Sequence, residues 1–323
     1  MALRQYGLPY QGSKNQIAEE ICMFLPEGER FVDLFGGGGA ITHCAMQSCK
    51  WKSFLYNELN PLVFDTFKKA LNGEFEEEFK NPKWISRDEF NERKNKDGFI
   101  ALVWSFSNNM QSYLFGRNRE ESKRSIFEWV VNNRKDEFVN RLFPYETLEG
   151  DTWLERYREF MAIARDIDDL QMATLGQVEI EKVKCMQCLQ NMKRVSALER
   201  INRIDNLFNS DELNIEFTNC SYEQFVHREG DVVYCDIPYE STDCKAYDGF
   251  DHKTFYDWCY TRDYQVFFSS YNQISDNRFY RVWERKKIAL NDNKSNSHER
   301  VECIYSNMPY KKSLLDKQYQ FGF

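Results

Sequence analysis

The chain has 323 residues, of which 42% are hydrophobic and 16% aromatic, and its formal net charge at pH 7 is -8. This size and composition predict a globular protein with one large domain, or a core domain that carries an insertion. No stretch approaches the roughly 18 to 20 apolar residues of a membrane span, and the amino terminus lacks the apolar segment of a signal peptide. We therefore expect a cytoplasmic protein with no membrane partner. The acidic balance does not by itself indicate a nucleic-acid partner, which usually meets a basic surface.

The ten cysteines are spread along the chain without a regular spacing, and several lie in apolar settings. This distribution is typical of reduced thiols in a reducing compartment. One C-x-x-C occurs, Cys185 to Cys188, and it has neither a second pair nor a neighbouring histidine. Two half-buried helix positions are favoured over a zinc site there, so no metal is expected.

The first elements along the chain are two successive β-α units. Residues 31–35 form an apolar run that leads into four glycines, and residues 40–47 are compatible with a helix. Residues 53–56 form a second apolar run, and a helical pattern follows it as far as Gly73. Strands that alternate with helices predict an α/β fold with a parallel sheet covered on both faces.

The middle of the chain has little strand signal and much helical pattern. In residues 153–170 the apolar positions recur at spacings of three and four, as on an amphipathic helix. In residues 180–207 they recur nearly every third position, which drifts around a helix of 3.6 residues per turn. We expect a break there, or burial on more than one side. The middle is interpreted as an inserted, mostly helical subdomain.

The last part of the chain returns to the strand and helix alternation. Residues 231–235 and 265–269 are apolar strand candidates, with a helical pattern at 253–260 between them, and residues 301–306 form a closing strand candidate. The predicted boundaries are residues 1–74 and 210–323 for the α/β domain and 75–209 for the insertion.

The glycine run Gly36 to Gly39 is the first candidate for a ligand site. It follows a strand, and residues without side chains let the backbone turn tightly and approach a ligand at the edge of the sheet. The run is neither G-x-G-x-x-G nor the P-loop pattern, so a dinucleotide or a triphosphate is disfavoured. Glu58 lies 22 positions after Gly36, behind the second strand. A carboxylate there can accept hydrogen bonds from both hydroxyls of a ribose.

The second candidate is D-I-P-Y, Asp236 to Tyr239, at the end of the apolar run V-V-Y-C. Taken alone, an acid and a proline after a strand are ordinary turn material. At the edge of the sheet, however, the Asp236 carboxylate and the Ile237 carbonyl can accept both hydrogens of an exocyclic amine. Pro238 would hold the backbone and Tyr239 would stack on the base. Such acceptors increase electron density on the nitrogen, as attack on a sulfonium methyl group requires.

These motifs resemble those of a known family. D-I-P-Y and F-V-D-L-F-G-G-G-G-A are similar to the [DNS]-P-P-[YFW] and F-x-G-x-G motifs of amino-group DNA methyltransferases. L-P-Y-Q-G-S-K-N-Q-I-A, from Leu8, resembles the amino-terminal motif of the D12 class of Dam-type adenine-N6 enzymes. V-F-F-S-S-Y-N and E-R-V-E-C-I-Y-S-N resemble the late sheet motifs, and the motif order is that of the alpha group. The resemblance covers residues 8–73 and 215–307.

The resemblance implies a Rossmann-like methyltransferase sheet with an inserted target-recognition subdomain. It also implies methyl transfer from S-adenosylmethionine to the N6 amine of an adenine flipped out of double-stranded DNA. Two departures from the family pattern are the isoleucine in D-I-P-Y, which keeps the required main-chain carbonyl, and the looser run of four glycines. The implied adenine-holding residues are Asp236, Ile237, Pro238 and Tyr239, and the implied cofactor-binding residues are Tyr10, Lys14, Asp33, Phe35, Gly36, Gly38, Glu58 and Asp236.

The insertion contains one stretch suited to contacts with DNA. Residues 104–119 combine aromatic, amide and arginine side chains, which stack on bases and read their edges. Asparagines bond adenine and arginines bond guanine, although buried asparagines and solvated arginines are equally available interpretations. The predicted DNA-binding residues are Asn108, Asn109, Arg117, Arg119, Lys123 and Arg124.

Three other functions stay open at this point. A cytosine-N4 methyltransferase would use the same slot, but those enzymes more often begin the tetrapeptide with serine. An RNA adenine methylase would be expected to have a different glycine motif and no recognition insertion. A catalytically inert DNA-binding protein would not need Glu58 or Asp236. A monomer is favoured, and the recognised DNA site is not readable from the sequence.

Overall fold

The computed structural model describes residues 6–168, 194–195, 214–240, 249–286 and 301–310. The chain divides into two compact units, Met1–Asn72 with Arg200–Phe323, and Gly73–Glu199. Cys185 and Cys188, and most of the stretch 180–207 for which a helix break is predicted, lie outside the described residues. Among the described helices, none is both long and apolar enough to cross a bilayer.

The described strands form one sheet in the first unit. They are β1 (Arg30–Asp33), β2 (Ser53–Asn57), β3 (Ile215–Thr218), β4 (Asp231–Cys235), β5 (Val266–Tyr271), β6 (Tyr280–Lys286) and β7 (Val301–Ser306). Their order is β3-β2-β1-β4-β5-β7-β6. The first five are parallel, whereas β7 pairs antiparallel with both β5 and β6. The mostly parallel sheet confirms the predicted α/β class. Its order reverses between β1 and β4, where such sheets form a ligand crevice at the carboxyl ends of the strands.

The described α-helices are, in chain order, α1 (Ala18–Phe24), α2 (Ala40–Gln47), α3 (Pro61–Leu71), α4 (Glu76–Lys80), α5 (Arg87–Arg93), α6 (Gly98–Val103), α7 (Glu120–Asn132), α8 (Glu137–Leu142), α9 (Trp153–Asp168) and α10 (His252–Tyr260). Local sequence explains where several begin. The Asn60 side chain accepts a hydrogen bond from the Leu62 N–H at 3.0 Å, and Pro61 opens α3. The Asp251 side chain caps α10 in the same way through the Thr254 N–H, at 3.1 Å.

The core of the first unit explains why its central strands read as apolar runs. All residues of β1 are buried, and so are the last four residues of β4. Val32, Val233 and Phe268 pack with Phe255 of α10 in one cluster. Strands buried on both faces are expected to be continuously apolar. The strands β3 and β6 were not predicted, because β3 is half-buried and β6 carries alternating charges that resemble a solvated basic segment.

The second unit is held together by aromatic side chains. Trp84 stacks on Phe115 with centroids 5.4 Å apart, and Trp104 meets the Trp84 ring edge-on at 5.1 Å. Phe127 of α7 meets the Trp84 ring edge-on at 5.5 Å. Between α6 and α7 the chain forms a narrow loop, in which the Leu114 N–H donates to the Trp104 carbonyl at 2.8 Å. The 3-10 turns Phe106–Asn108 and Arg117–Arg119 lie within and after this loop.

Candidate functional site

Three acidic residues follow neighbouring strands at the point where the strand order reverses. Asp33 ends β1, Glu58 follows β2 and Asp236 follows β4, and β1 pairs with both of the other strands. Parallel strands in register bring their carboxyl ends to the same edge of the sheet. The charges of Glu58 and Asp236 both raise the pKa of Asp33, as expected for neighbouring carboxylates. Three carboxylates, predicted separately, therefore form one acidic cluster.

Asp33 is the most deeply buried of the three, with 1% of its surface exposed. The Thr42 hydroxyl donates to its Oδ2 atom at 2.8 Å, whereas its Oδ1 atom accepts no hydrogen bond from any described residue. Burial raises the pKa of the carboxyl to about 7, the charges of Asp236 and Glu58 add to the increase, and the Thr42 hydroxyl and the Phe35 backbone N–H oppose it. A buried acceptor without a donor is costly, so this oxygen fits a ligand that carries a cationic donor.

The glycine turn is shaped by contacts inside the protein. A Cβ atom on Gly36 would lie 2.2 Å from the Tyr56 ring, and one on Gly39 would lie 2.2 Å from the Phe67 ring. Gly39 also has a φ of +71°, which favours glycine. The Leu8 N–H donates to the Gly38 carbonyl at 2.6 Å. Close packing thus requires at least two of the four glycines, independently of any ligand.

Glu58 supports the same turn. Its Oε2 atom accepts the Gly37 N–H at 2.7 Å, and its Oε1 atom accepts the Asn60 N–H at 2.8 Å. Burial raises the pKa of Glu58, and these two hydrogen bonds oppose the increase. Each carboxylate oxygen still has a second lone pair. Glu58 therefore combines a structural task that the sequence did not reveal with remaining capacity to accept ligand hydroxyls.

Lys14 and Asp236 join the two ends of the chain. The Lys14 Nζ atom lies 2.8 Å from Oδ1 and 3.1 Å from Oδ2 of Asp236, although the residues are 222 positions apart. Burial raises the pKa of Asp236, Lys14 lowers it, and Glu302 raises it. The amino-terminal motif and D-I-P-Y, recognised separately in the sequence, thus meet at one ion pair.

Tyr239 is less open than the sequence predicts for a stacking surface. It is 8% exposed, and its hydroxyl donates to the Oε2 atom of Glu302 at 2.8 Å. The Tyr271 ring meets it edge-on at 4.6 Å, and the Lys14 Nζ atom lies 4.5 Å from the ring centroid. Burial, Asp236 and Glu302 raise the pKa of its hydroxyl. Glu302 was missed in the sequence because it lies within an apolar strand pattern.

The remaining predicted residues also lie around the glycine turn and D-I-P-Y. A Cβ atom on Gly38 would come within 2.6 Å of the Tyr10 side chain, so Tyr10 covers the turn. Phe35 stacks on Tyr222 at 5.3 Å. The Pro238 carbonyl is 2.7 Å from the Nε2 atom of His252, a residue that the sequence did not single out.

The predicted DNA-binding residues of the second unit fall into three groups. The Asn108 side chain donates to the Leu102 carbonyl at 3.0 Å, and the Asn109 side chain accepts two backbone N–H groups at 2.9 Å, so both shape their own loop. Arg117, Arg119 and Arg124 are exposed. The prediction that Lys123 contacts DNA is corrected. Lys123 lies on the inward face of α7 and is 1% exposed, so it does not offer a surface cation.

The fold and the site define an α/β protein with an acidic cluster at the switch point of its sheet, where such folds bind nucleotide-like ligands. Residues 10–137 match the family model of the D12 class N6 adenine-specific DNA methyltransferases. The match supports the resemblance found in the sequence, and that family consists of enzymes that methylate adenine in DNA. It includes Lys14, Asp33 and Glu58 but ends before D-I-P-Y. No curated protein matches the chain significantly.

Proposed function

We propose that this chain transfers a methyl group from S-adenosylmethionine to the N6 amine of an adenine rotated out of double-stranded DNA. The contact between Lys14 and Asp236 carries the proposal, since it joins the amino-terminal motif to D-I-P-Y. The family match supports adenine as the base. The donor, the flipped base and the residue roles are inferred from the chemistry of the site.

The side chains around the glycine turn fit the proposed cofactor. When bound, S-adenosylmethionine supplies an electrophilic methyl group on a positively charged sulfur. The free Oδ1 atom of Asp33 would accept from its ammonium group, and the remaining lone pairs of Glu58 would accept from its ribose hydroxyls. Tyr10, Phe35, Gly36 and Gly38 would border the same space.

D-I-P-Y would hold the target amine. Asp236 and the Ile237 carbonyl would each accept one of its hydrogens, which localises the lone pair on nitrogen for attack on the methyl group. No described residue donates a hydrogen bond to the Ile237 carbonyl. As the new N–C bond forms, the nitrogen must lose a proton. Burial raises the pKa of Asp236, so its carboxylate is suited to accept that proton.

The second unit would supply DNA contacts. Rotating a base out of a duplex costs a few kcal/mol of stacking and pairing, which other contacts must offset. Arg117, Arg119 and Arg124 are exposed cations that can contact phosphates or guanine edges. In this proposal the partner is double-stranded DNA, and Asn108 and Asn109 hold the loop beside these arginines.

The direct test is methylation of unmodified double-stranded DNA by the purified chain with isotopically labelled S-adenosylmethionine. Digestion to nucleosides and mass spectrometry would then identify the labelled base. Label in N6-methyladenine is expected, and Asp236→Asn should reduce it at least a hundredfold. Label in N4-methylcytosine, or DNA binding without any transfer, would contradict the proposal.

A further inference from the structure

The segment that contains D-I-P-Y is anchored on both sides of Ile237. Asp236 precedes it and pairs with Lys14. After it, the Pro238 carbonyl contacts His252, and the Tyr239 hydroxyl donates to Glu302. The side chain of the next residue, Glu240, accepts from the Ser275 hydroxyl at 2.6 Å and from its N–H at 3.0 Å. These anchors come from elements far apart in sequence, so the conformation of the turn is imposed by the surrounding fold.

His252 is the only one of these described anchors that holds the main chain of the tetrapeptide. It is the first residue of α10 and is half-buried. Its ring meets the Phe250 ring edge-on, with centroids 4.9 Å apart at 84°. Phe250 in turn meets Phe35, beside the glycine turn, at 5.7 Å. Because a carbonyl can only accept, the hydrogen bond to Pro238 requires a proton on the Nε2 atom of His252.

The hydrogen bond from His252 to the Pro238 carbonyl restricts the ψ angle of Pro238. The proline ring already fixes φ near -65°, which leaves ψ as the variable backbone angle of that residue. A donor on the Pro238 carbonyl fixes ψ, because rotation about ψ carries the carbonyl oxygen with it. The direction of the following Tyr239 is then set as well. The same contact occupies the Pro238 carbonyl, whereas no described residue donates a hydrogen bond to the Ile237 carbonyl.

We propose that His252 is a positioning residue for methyl transfer, which fixes Pro238 so that the Ile237 carbonyl faces the target amine and the Tyr239 ring faces the base. The inference rests on the function proposed above. Replacing His252 should slow the chemical step without weakening the binding of either substrate. The described contacts of His252 reach the site only through the Pro238 carbonyl and the Phe250 ring.

The test compares three variants. His252→Phe keeps an aromatic ring against Phe250 and removes the donor, whereas His252→Gln keeps a donor. His227→Phe is the matched control, because His227 is also half-buried and stacks on an aromatic ring, Tyr264, at 4.0 Å. His227 precedes β4 and therefore lies at the opposite end of that strand. The measurements are kcat, KM for DNA and for S-adenosylmethionine, and Tm.

For His252→Phe we expect a three- to tenfold fall in kcat, the range for one neutral hydrogen bond, with both KM values and Tm near those of the wild type. His252→Gln should recover most of the rate, and His227→Phe should match the wild type. An unchanged kcat in His252→Phe would overturn the proposal. Equal losses in the Phe and Gln variants that follow a lower Tm would also overturn it, since a packing residue gives that result.

Hydrogen exchange separates this inference from the proposed function. In the ligand-free protein, the amides of the peptide containing residues 236–240 should exchange faster in His252→Phe than in the wild type or in His227→Phe. This holds whatever base is methylated. Unchanged exchange there would overturn the positioning role, whereas faster exchange in a chain that methylates no adenine would contradict only the proposed function.

Discussion

The switch-point site of the first unit and the loop between α6 and α7 of the second unit were both predicted from residue type, with different outcomes. In the first unit the predicted residues meet through long-range contacts, such as that between Lys14 and Asp236. In the loop, the predicted base readers bond nearby backbone: Asn108 donates to the Leu102 carbonyl of α6, and Asn109 accepts the Gln111 N–H. Strand register fixes which side chains meet at a sheet edge, whereas a loop first uses its polar side chains to hold its own shape.

The largest effect should follow from Asp236→Asn in the first region. The amide keeps the shape of the side chain but cannot take a proton from the amine and no longer pairs with Lys14 as an ion. We expect the methylation rate to fall at least a hundredfold, in the range seen when one preorganised group of an active site is removed. Rate measurements with saturating substrates, together with Tm, check this. A variant with near-normal turnover would remove D-I-P-Y from the mechanism.

A second large effect concerns Asp33 and the binding of S-adenosylmethionine. If its Oδ1 atom accepts from a cationic group, the carboxyl must be ionised to bind, and its pKa of about 7 makes affinity rise as pH increases through neutrality. Asp33→Asn should bind at least tenfold more weakly at pH 8 and lose this pH dependence. Calorimetry at pH 6, 7 and 8 measures both. If the affinity for S-adenosylmethionine changed with pH in the same way in the wild type and in Asp33→Asn, Asp33 would be excluded as the cation acceptor.

Asp33 should also affect stability, with a defined sign. Its folded pKa of about 7 lies above the ordinary value of 3.8, so the folded state holds the proton more strongly than the unfolded state. The contribution of Asp33 to the free energy of unfolding is fully present below pH 4 and is lost as pH rises towards and through 7. The free energy of unfolding then falls by at most about 1.4 kcal/mol per pH unit. In urea unfolding without ligand, the free energy of unfolding of the wild type should therefore fall more steeply between pH 5 and 7 than that of Asp33→Asn.

Tyr239 tests whether the same region stacks on a base. Tyr239→Ala removes the ring and should reduce the rate by one to two orders of magnitude, because stacking contributes about 1 to 3 kcal/mol. Tyr239→Phe keeps the ring but leaves Glu302 without that donor, so we expect a lower Tm and a largely retained rate. Equal rate losses in both variants, in proportion to the loss of stability, would exclude a stacking role.

The smallest effects are expected in the loop region. Arg117→Ala and Arg119→Ala should each weaken DNA binding a few-fold and, for a phosphate contact, lower the salt slope by about one, without changing cofactor affinity. Asn109→Ala should lower the stability of the second unit before it changes base preference, because its side chain closes the loop. Binding titrations at several salt concentrations and methylation of a randomised site library distinguish these outcomes.

Sequence patterns revealed the site residues that follow buried strands and missed those whose partners lie elsewhere. Glu58 and Asp236 follow apolar runs, so their place was predictable, and Asp33 lies within a run that resembles a family motif. Glu302 has a strand pattern around it, and only the neighbouring strands reveal that it faces Tyr239. The contact of His252 with Pro238 depends on how α10 packs. The roles of all these residues in binding and catalysis stay predictions.

The distance along the chain between Lys14 and Asp236 has a consequence for synthesis. The residues that pair at the site are 222 positions apart, and β1 cannot pair with β4 until the second unit has left the ribosome. At roughly 5 to 20 residues per second, the first two β-α units wait about ten to forty seconds for their partner strand. During that interval the exposed edge of β1 is open to wrong pairing. Nascent chains stalled before residue 231 should consequently bind chaperones that recognise apolar segments more than chains released after residue 310.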